Sequence, residues 1–134
     1  MMIEVVCGII VDDNGSVLIG KRPFGKHLGG KWEFPGGKVK LNENKVDAIQ
    51  RELLEELGCS IQIVFHLKCF CHVYDDGIAI TLFPFVCKLH NAEEKPKSLE
   101  HTSVVWVSVD DINTYDLAAA DIKVLAAYQQ WNGK

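Results

Sequence analysis

A single helical segment set among strand-like runs constrains this fold more than any other feature of the sequence. Residues Lys45–Leu57 repeat apolar side chains at helical spacing, and Gly58 follows at a position where a left-handed helix cap is favoured. We predict that the apolar face of this helix is formed by Val46, Ile49, Leu53 and Leu57. A helix of this kind among strands predicts a mixed fold of α-helices and β-strands.

Apolar runs before and after this helix predict the strands of a mixed sheet. The predicted strands are Ile3–Val11, Val17–Ile19, Trp32–Phe34, Ser60–Val73, Ile78–Leu89 and Val104–Val107. Asp12–Gly15 and Tyr74–Gly77 have the composition of tight turns, so we expect a hairpin at each, the first one covering Ile3–Ile19. Pro35–Gly37 is expected to end the third strand.

A second helix is predicted at Leu117–Trp131. Its apolar face is expected to contain Ile122, Leu125 and Tyr128. The segments Phe24–Lys31 and Asn91–Lys97 are predicted to be loops. No linker, repeat or low-complexity segment interrupts the pattern, and 134 residues fit the usual size of one domain. We therefore predict one domain over residues 1–134, of the α+β or α/β class.

The charge balance bears on the kind of partner. The sequence has 14 Lys and Arg residues against 18 Asp and Glu residues, which gives a net charge of −4. Proteins that bind duplex nucleic acid usually carry a basic face that neutralises phosphates, so such a partner is not expected. A polyphosphate ligand would instead need a bound divalent cation to offset the repulsion.

The sequence has none of the usual signals for export or membrane insertion. Met1–Glu4 lacks the positive region of a signal peptide, and the apolar run Val5–Val11 is far shorter than the ~20 residues of a membrane span. The odd number of cysteines predicts buried free thiols in a reducing cytoplasm. These cysteines are Cys7, Cys59, Cys69, Cys71 and Cys87. We expect a complete cytoplasmic protein without a membrane partner.

Three glutamates on the first helix are the strongest candidates for chemistry. Glu52, Glu55 and Glu56 stand at i, i+3 and i+4, so they share one face of the helix, apart from the apolar face. Like charges at this spacing repel each other, so they are either solvated or bind a hard cation such as Mg²⁺ or Mn²⁺. The helix by itself favours a solvated acidic face.

The residues around these glutamates form a longer pattern. Glu43 follows Gly37 after five intervening residues, and the run Arg51–Cys59 begins after seven more. This spacing resembles the Nudix box, G-x5-E-x7-R-E-U-x-E-E-x-G-U, where U is a bulky aliphatic residue. All seven fixed residues stand at the expected spacing, and only Cys59 departs, at the last aliphatic position. Trp32–Lys38 is similar to the segment that precedes the box in MutT-like Nudix hydrolases.

The likeness extends over nearly the whole chain. Three short segments are similar to the branch of CTP pyrophosphohydrolases, namely Met2–Val6, Lys21–Pro23 and Ala120–Ile122. Another segment, Tyr115–Asp121, is similar to the base-recognition segment of the MutT-like group. The resemblance implies a Nudix fold of the α+β class, an α/β/α sandwich in which helices flank a mixed sheet. It also implies an enzyme that needs Mg²⁺, with Mn²⁺ as a substitute, and hydrolyses (deoxy)nucleoside triphosphates to monophosphate and pyrophosphate.

The same resemblance implies roles for individual residues. The implied metal ligands are the Gly36 carbonyl and the carboxylates of Glu52, Glu55, Glu56 and Glu100. Glu52 would orient or deprotonate the attacking water, Arg51 would brace the glutamates, and Glu43 would support them electrostatically. The implied substrate contacts are Arg22 and Lys38 for phosphate or sugar, Phe34 or Phe83 beside the base, and Asp121 in the nucleotide pocket.

Asp121 leaves the choice of base open. A carboxylate can accept from the N4 amino group of cytosine or from N–H groups of an oxidised guanine, or Asp121 can be an exposed helix N-cap. Ile78 stands where some members specific for oxidised guanine carry Arg, which favours cytidine or modified pyrimidine nucleotides, or a broad range of nucleotides. The alternatives are an 8-oxo-dGTP diphosphatase, a nucleotide-sensing module without activity, and an enzyme for dinucleotide polyphosphates, nucleotide sugars or mRNA caps. The chain is expected to act on a small nucleotide as a monomer or homodimer.

Two other motifs suggest different chemistry and are disfavoured. Gly25–Trp32 nearly matches a P-loop, but Trp32 replaces the hydroxyl that should hold Mg²⁺. A zinc site is suggested by His66, Cys69, Cys71 and His72. On a strand, however, the two cysteines face one side and the two histidines the other, so a structural role is favoured.

Overall fold

This computed structural model describes residues 2–131, which contain eight strands, two α-helices and a short 3₁₀ helix at Ile112–Thr114. The strands are β1 Ile3–Ile10, β2 Val17–Lys21, β3 Trp32–Glu33, β4 Gly36–Lys38, β5 Ile61–His66, β6 Phe70–Val73, β7 Ala79–Leu89 and β8 Ser103–Val107. The helices are α1 Lys45–Leu57 and α2 Ala119–Trp131, and neither of them is long and apolar enough to cross a membrane. Residue 1 and residues 132–134, which the one-domain prediction includes, lie outside the described range.

The strands form two sheets. Strands β4, β1, β7 and β5 lie side by side in a five-stranded sheet, in which β6 also pairs with β7. Because β1 and β7 are parallel while the other pairings are antiparallel, this sheet is mixed. The second sheet is antiparallel and has the order β3-β2-β8.

Helices cover both faces of the larger sheet. Side chains of a strand alternate between its two faces. On β1, Val6 and Ile10 pack in a core with α1. Cys7 and Ile9 of the same strand pack in a second core with α2. Helix α1 has the predicted boundaries, and Gly58 caps it with a left-handed φ of 69°. The predicted α+β sandwich is therefore confirmed.

The predicted hairpin over Ile3–Ile19 is wrong. Both edges of β1 are occupied, by β4 on one side and by β7 on the other. The chain does turn at Asp12–Gly15, but only Val11 and Val17 form a bridge before β2 joins the second sheet beside β8. The turn therefore links two sheets instead of two neighbouring strands. The other predicted hairpin, at Tyr74–Gly77, is confirmed and joins β6 to β7.

Two further strand predictions are also corrected. Ser60–Val73 contains two strands, β5 and β6, because the pairing register with β7 shifts between Ile63 and Phe65 and the chain leaves the ladder after β5. Pro35–Gly37 was expected to end a strand, but Gly36–Lys38 is itself strand β4 and pairs with Val5–Cys7 of β1. This second correction matters for the site, because β4 lies next to α1.

Each helix buries a face somewhat different from the predicted one. Val46 is 46% exposed and Ile122 is 56% exposed, so the prediction that both are buried is wrong. The buried residues of α1 are Ala48, Ile49, Leu53, Glu56 and Leu57. The buried residues of α2, which begins at Ala119 and not at Leu117, are Ala120, Asp121, Val124, Leu125 and Tyr128. Each buried face thus includes one carboxyl group, which apolar periodicity does not predict.

The cysteines are free, as predicted, but two of them are not buried. Cys7, Cys59 and Cys87 lie in the interior, whereas Cys69 and Cys71 are exposed. Cys71 is in strand β6, which within residues 2–131 pairs with β7 alone and so lies at the outer edge of the sheet, where alternate side chains face away from the core. Cys69 directly precedes this strand.

Candidate active site

Two glycines of β4 bring carboxylates of α1 against the sheet. The backbone N–H of Gly36 donates to Glu56 Oε1 (3.3 Å). A Cβ on Gly36 would collide with the Val6 carbonyl, and a Cβ on Gly37 would collide with the Glu52 carboxylate. The glycine pair therefore allows β4 to lie close to both β1 and α1, with two carboxylates beside its backbone.

Arg51 holds three of the glutamates together. Its Nε and Nη2 donate to the two oxygens of Glu43, at 2.8 and 2.9 Å. Its Nη1 donates to Glu55 (3.0 Å) and to Glu52 (3.3 Å). The hydrogen bonds from Arg51 lower the pKa of Glu43 to about 2, and the bond to Glu43 in turn raises the pKa of Arg51. Arg51 thus ties the loop before α1 to the acidic face of the helix.

Glu56 is only 7% exposed and lies among other acids. Burial raises its pKa to about 9, and the charges of Glu33, Glu52 and Glu100 act in the same direction. Burial also raises the pKa of Glu52, with further contributions from Glu55 and Glu100. The charges of Glu55 and Glu100 thus act on Glu52, and those of Glu52 and Glu100 act on Glu56, so the four predicted metal-binding carboxylates influence one another electrostatically.

In their chemistry these carboxylates fit a divalent metal ion. Their oxygens are the donors that Mg²⁺ and Mn²⁺ prefer. A cation would offset the crowded negative charge that helps to raise the pKa of Glu52 and Glu56. The carboxylates are not arranged around a common point, however, because Arg51 lies between Glu52 and Glu55 and donates to both. Within residues 2–131, no three His, Cys, Asp or Glu side chains form a group that could hold a metal ion. This last observation includes the four residues that suggest zinc.

A cavity of about 310 Å³ opens beside the carboxylates. Its lining includes Gly36 and the four principal predicted substrate contacts, Arg22, Phe34, Lys38 and Asp121. Apolar side chains of β1 and β7, among them Val5, Ile80 and Leu82, contribute to the wall. Phe83, the alternative to Phe34, packs on the α1 face of the sheet, with Lys45 Nζ 4.9 Å from the centre of its ring. The cavity therefore combines an apolar wall with cationic side chains.

Asp121 is buried in the cavity wall and is not an exposed helix cap. Its Oδ1 accepts a hydrogen bond from the Phe34 backbone N–H (2.9 Å). Burial raises the pKa of this carboxyl well above its usual range, and the charge of Glu33 adds to the effect. Because it lies inside the first turn of α2 and faces the core, the exposed-cap alternative is wrong.

Three residues near the site were not predicted. Glu33 lines the cavity, and its two oxygens contact Arg22 Nη1 (3.1 Å) and His101 Nε2 (2.9 Å). Tyr74 also lines the cavity, and burial raises the pKa of its hydroxyl to about 12. Glu33 lies within the segment that resembles MutT-like proteins, which was the one available signal. His101 and Tyr74 have no periodic pattern, and only the folded chain places them here.

Comparisons with known proteins agree with this fold. Residues 6–127 match the family model described as NUDIX domain. The chain is 35% identical over 127 residues to the CTP pyrophosphohydrolase of Escherichia coli K12, across 95% of this chain and 91% of that protein. It is 30% identical over 124 residues to the 8-oxo-dGTP diphosphatase of the same organism, across 92% and 94% of the two chains.

Solved structures agree as well. The solution structure of the E. coli ORF135 protein superimposes with a TM-score of 0.82 at 34% identity, over 98% of this chain and 91% of that one. The crystal structure of a MutT NUDIX hydrolase from Burkholderia pseudomallei gives a TM-score of 0.83 at 27% identity, over 95% and 98%.

The chain therefore belongs to the Nudix family. It is a MutT-like member and a hydrolase that acts on phosphorus-containing anhydrides. Nudix hydrolases generally use divalent metal ions, which agrees with the oxygen donors gathered at α1.

Proposed function

We propose that this chain is a Mg²⁺-dependent pyrophosphohydrolase that converts (deoxy)nucleoside triphosphates to monophosphate and pyrophosphate, with CTP, dCTP or modified pyrimidine nucleotides as preferred substrates. The observation that carries the proposal is the group of acids at α1 beside a cavity with cationic and apolar walls. Acids alone would repel a triphosphate, so a cation must lie between the two. The relative named CTP pyrophosphohydrolase supports the choice of substrate.

The α1 carboxylates and Arg51 supply the catalytic groups. The ion would be held by the Gly36 carbonyl and by the carboxylates of Glu52, Glu55, Glu56 and Glu100. When bound, it supplies Lewis-acid stabilisation of the charge on the phosphoryl oxygens. Glu52 orients the attacking water and accepts its proton. Arg51, with Glu43 behind it, keeps the glutamates in position.

Residues of the cavity bind the nucleotide. Arg22 and Lys38 attract the phosphates, and Phe34 contacts the base. The ionised form of Asp121 accepts from the N4 amino group of cytosine, and this contact offsets the burial that otherwise raises the pKa of the carboxyl. Ile78 lines the same cavity and has no donor for the extra oxygen of an oxidised guanine, which supports a pyrimidine.

A second candidate is 8-oxo-dGTP diphosphatase activity. The relative of that name at 30% identity supports it, as does the ability of Asp121 to accept from N–H groups of an oxidised guanine. A nucleotide-sensing module without activity is disfavoured because all seven fixed residues of the Nudix box are present. In either case the substrate is a free nucleotide of the cytoplasm rather than duplex nucleic acid, and the net charge of −4 supports this.

The test is turnover of a nucleotide panel with Mg²⁺, in which monophosphate and pyrophosphate are both quantified. The panel contains CTP, dCTP, 5-methyl-dCTP, dGTP, 8-oxo-dGTP and ADP-ribose. We expect the highest kcat/KM with cytidine nucleotides; a higher value for 8-oxo-dGTP would select the second candidate, and no turnover at all would favour the sensing module.

Variants connect this activity to the carboxylates. Glu55→Gln should lower kcat by at least ~10-fold while the protein still unfolds cooperatively. Glu93→Gln, in an exposed loop, removes the same charge away from the site and is the matched control. Wild-type turnover in Glu55→Gln would contradict the assignment of the metal site.

A further inference from the structure

His101 lies inside the cluster of acids. It follows Glu100 in the chain and is only 7% exposed. Its Nε2 is 2.9 Å from Glu33 Oε2 and 3.9 Å from Glu56 Oε1, so the ring stands between two carboxylates that come from β3 and α1. Because a carboxylate oxygen accepts, the hydrogen on Nε2 is donated to Glu33.

The neighbouring backbone makes room for this ring. A Cβ on Gly20 of β2 would lie only 2.6 Å from two ring carbons of His101. Gly20 is also the residue paired with Glu33 across β2 and β3. The glycine that admits the ring is therefore directly opposite the residue that accepts its hydrogen bond, which gives His101 a defined place relative to Glu33.

Packing alone does not account for a histidine here. Its Nδ1 is buried and has no hydrogen-bond partner within residues 2–131. A buried polar atom without a partner lowers stability, and an apolar side chain of similar size would avoid that cost. The advantage of the histidine must therefore come from its other nitrogen, Nε2.

Glu33, which accepts the hydrogen bond from His101, also contacts a cationic residue of the cavity. Its second oxygen, Oε1, is 3.1 Å from Arg22 Nη1, and Arg22 lines the cavity. Contacts thus run from Arg22 through Glu33 and His101 to Glu56. They connect a cationic side chain of the cavity with a buried carboxylate of α1.

We propose that His101 is a positioning residue, whose Nε2 holds Glu33 toward Arg22 and keeps the Glu56 carboxylate in place for the divalent ion. The inference rests on the proposed function, because it concerns the metal site of that reaction. His101 contacts neither substrate nor metal in this scheme and transfers no proton. Replacement of His101 therefore changes the positions of Glu33 and Glu56, and its first measurable effect is weaker metal binding.

The test compares two amides of different length at this position. The amide nitrogen of Gln can lie near the place of Nε2, whereas that of Asn lies near Nδ1 and falls short of Glu33. For H101N we expect the Mn²⁺ affinity of the nucleotide-free protein, measured by EPR titration, to fall about 10–100-fold, the usual cost of losing a group that orients a metal ligand. H101Q should remain within a few-fold of wild type. Excess Mg²⁺ should restore part of the kcat lost in H101N, which a general packing defect would not show.

His72 offers a matched control. It is 8% exposed, and its buried Nε2 likewise has no hydrogen-bond partner among the described residues, but it lies on β6, where its Nδ1 is 2.8 Å from Lys123 Nζ. H72N should leave the Mn²⁺ affinity unchanged. If H101N does not fold, Glu33→Ala removes the same hydrogen bond from the other side and should weaken Mn²⁺ binding in the same way.

The outcomes separate this inference from the proposed function. Equal Mn²⁺ affinities for folded H101N and H101Q would overturn the role of His101, as would an unchanged affinity in Glu33→Ala. A wild-type protein that binds Mn²⁺ and hydrolyses CTP, together with an unaffected H101N, would overturn this inference alone. A wild-type protein that does neither would overturn both.

Discussion

Glu56→Gln should make the metal-free protein more stable while it removes a metal ligand. Glu56 is 7% exposed, and its pKa is raised from 4.5 to about 9. Because the folded protein keeps a proton that the unfolded chain releases, the free energy of unfolding falls as the pH rises from 4.5 toward 9. At pH 7 the loss is about 3 kcal/mol, since each pH unit above 4.5 corresponds to ~1.4 kcal/mol. Glutamine has nearly the same shape and no charge, so the variant avoids this loss.

Thermal unfolding in EDTA, followed by circular dichroism, measures the effect. At pH 7 the variant should gain about 3 kcal/mol, or on the order of 10 °C in Tm for a chain of this size. At pH 5 the gain should shrink to about 1 kcal/mol or less. Glu55→Gln is the control: Glu55 is exposed, so its change should stay within ~0.5 kcal/mol at both pH values.

Addition of Mg²⁺ completes this experiment. The ion should raise the Tm of the wild type and have little effect on Glu56→Gln, because a ligand stabilises only the protein that binds it. A Glu56→Gln protein that is no more stable than the wild type at pH 7 without metal would refute the reasoning that burial among other acids destabilises the charged form of Glu56.

Three other perturbations test further parts of the site. Gly37→Ala places a Cβ against the Glu52 carboxylate, so kcat in a pyrophosphate-release assay should fall on the order of 10²-fold; a nearly unchanged kcat would contradict this close approach. Glu43 has a pKa of about 2 because Arg51 donates to it, so its contribution to stability is present above pH 4.5 and is lost as the pH falls toward 2. Acid unfolding of Glu43→Gln should lack this part of the pH dependence, and superimposable profiles would argue against the pairing. Asp121→Asn adds a donor that suits the O4 of uracil, so the ratio of kcat/KM for CTP over UTP should fall by ~10-fold, and an unaltered ratio would exclude Asp121 from base recognition.

The parts of the site that are close together in sequence could be predicted. The bounds of α1 follow from apolar repeats within one segment, and the positions of Glu52, Glu55 and Glu56 on one face follow from helix geometry. The bidentate contact of Arg51 with Glu43 spans only eight residues and lies within the motif. Such contacts depend on local spacing, which is visible in a single sequence.

Contacts between distant segments could not be predicted in the same way. Glu33 and His101 are 68 residues apart, and neither belongs to a periodic pattern. Strand β2 leaves β1 because β4 and β7 already occupy both edges of β1, which is a property of the whole sheet and not of the turn between β1 and β2. Ile122 is apolar but exposed, since the orientation of α2 is set by the surface that it covers.

Phosphorus NMR of CTP incubated with the protein, with Mg²⁺ and then with EDTA, tests the central claim most directly. That claim is that a divalent ion held by the α1 carboxylates supports cleavage of a nucleoside triphosphate to monophosphate and pyrophosphate. We predict CMP and pyrophosphate in equal amounts with Mg²⁺, and intact CTP with EDTA. Release of CDP and phosphate, or undiminished hydrolysis in EDTA, would contradict it.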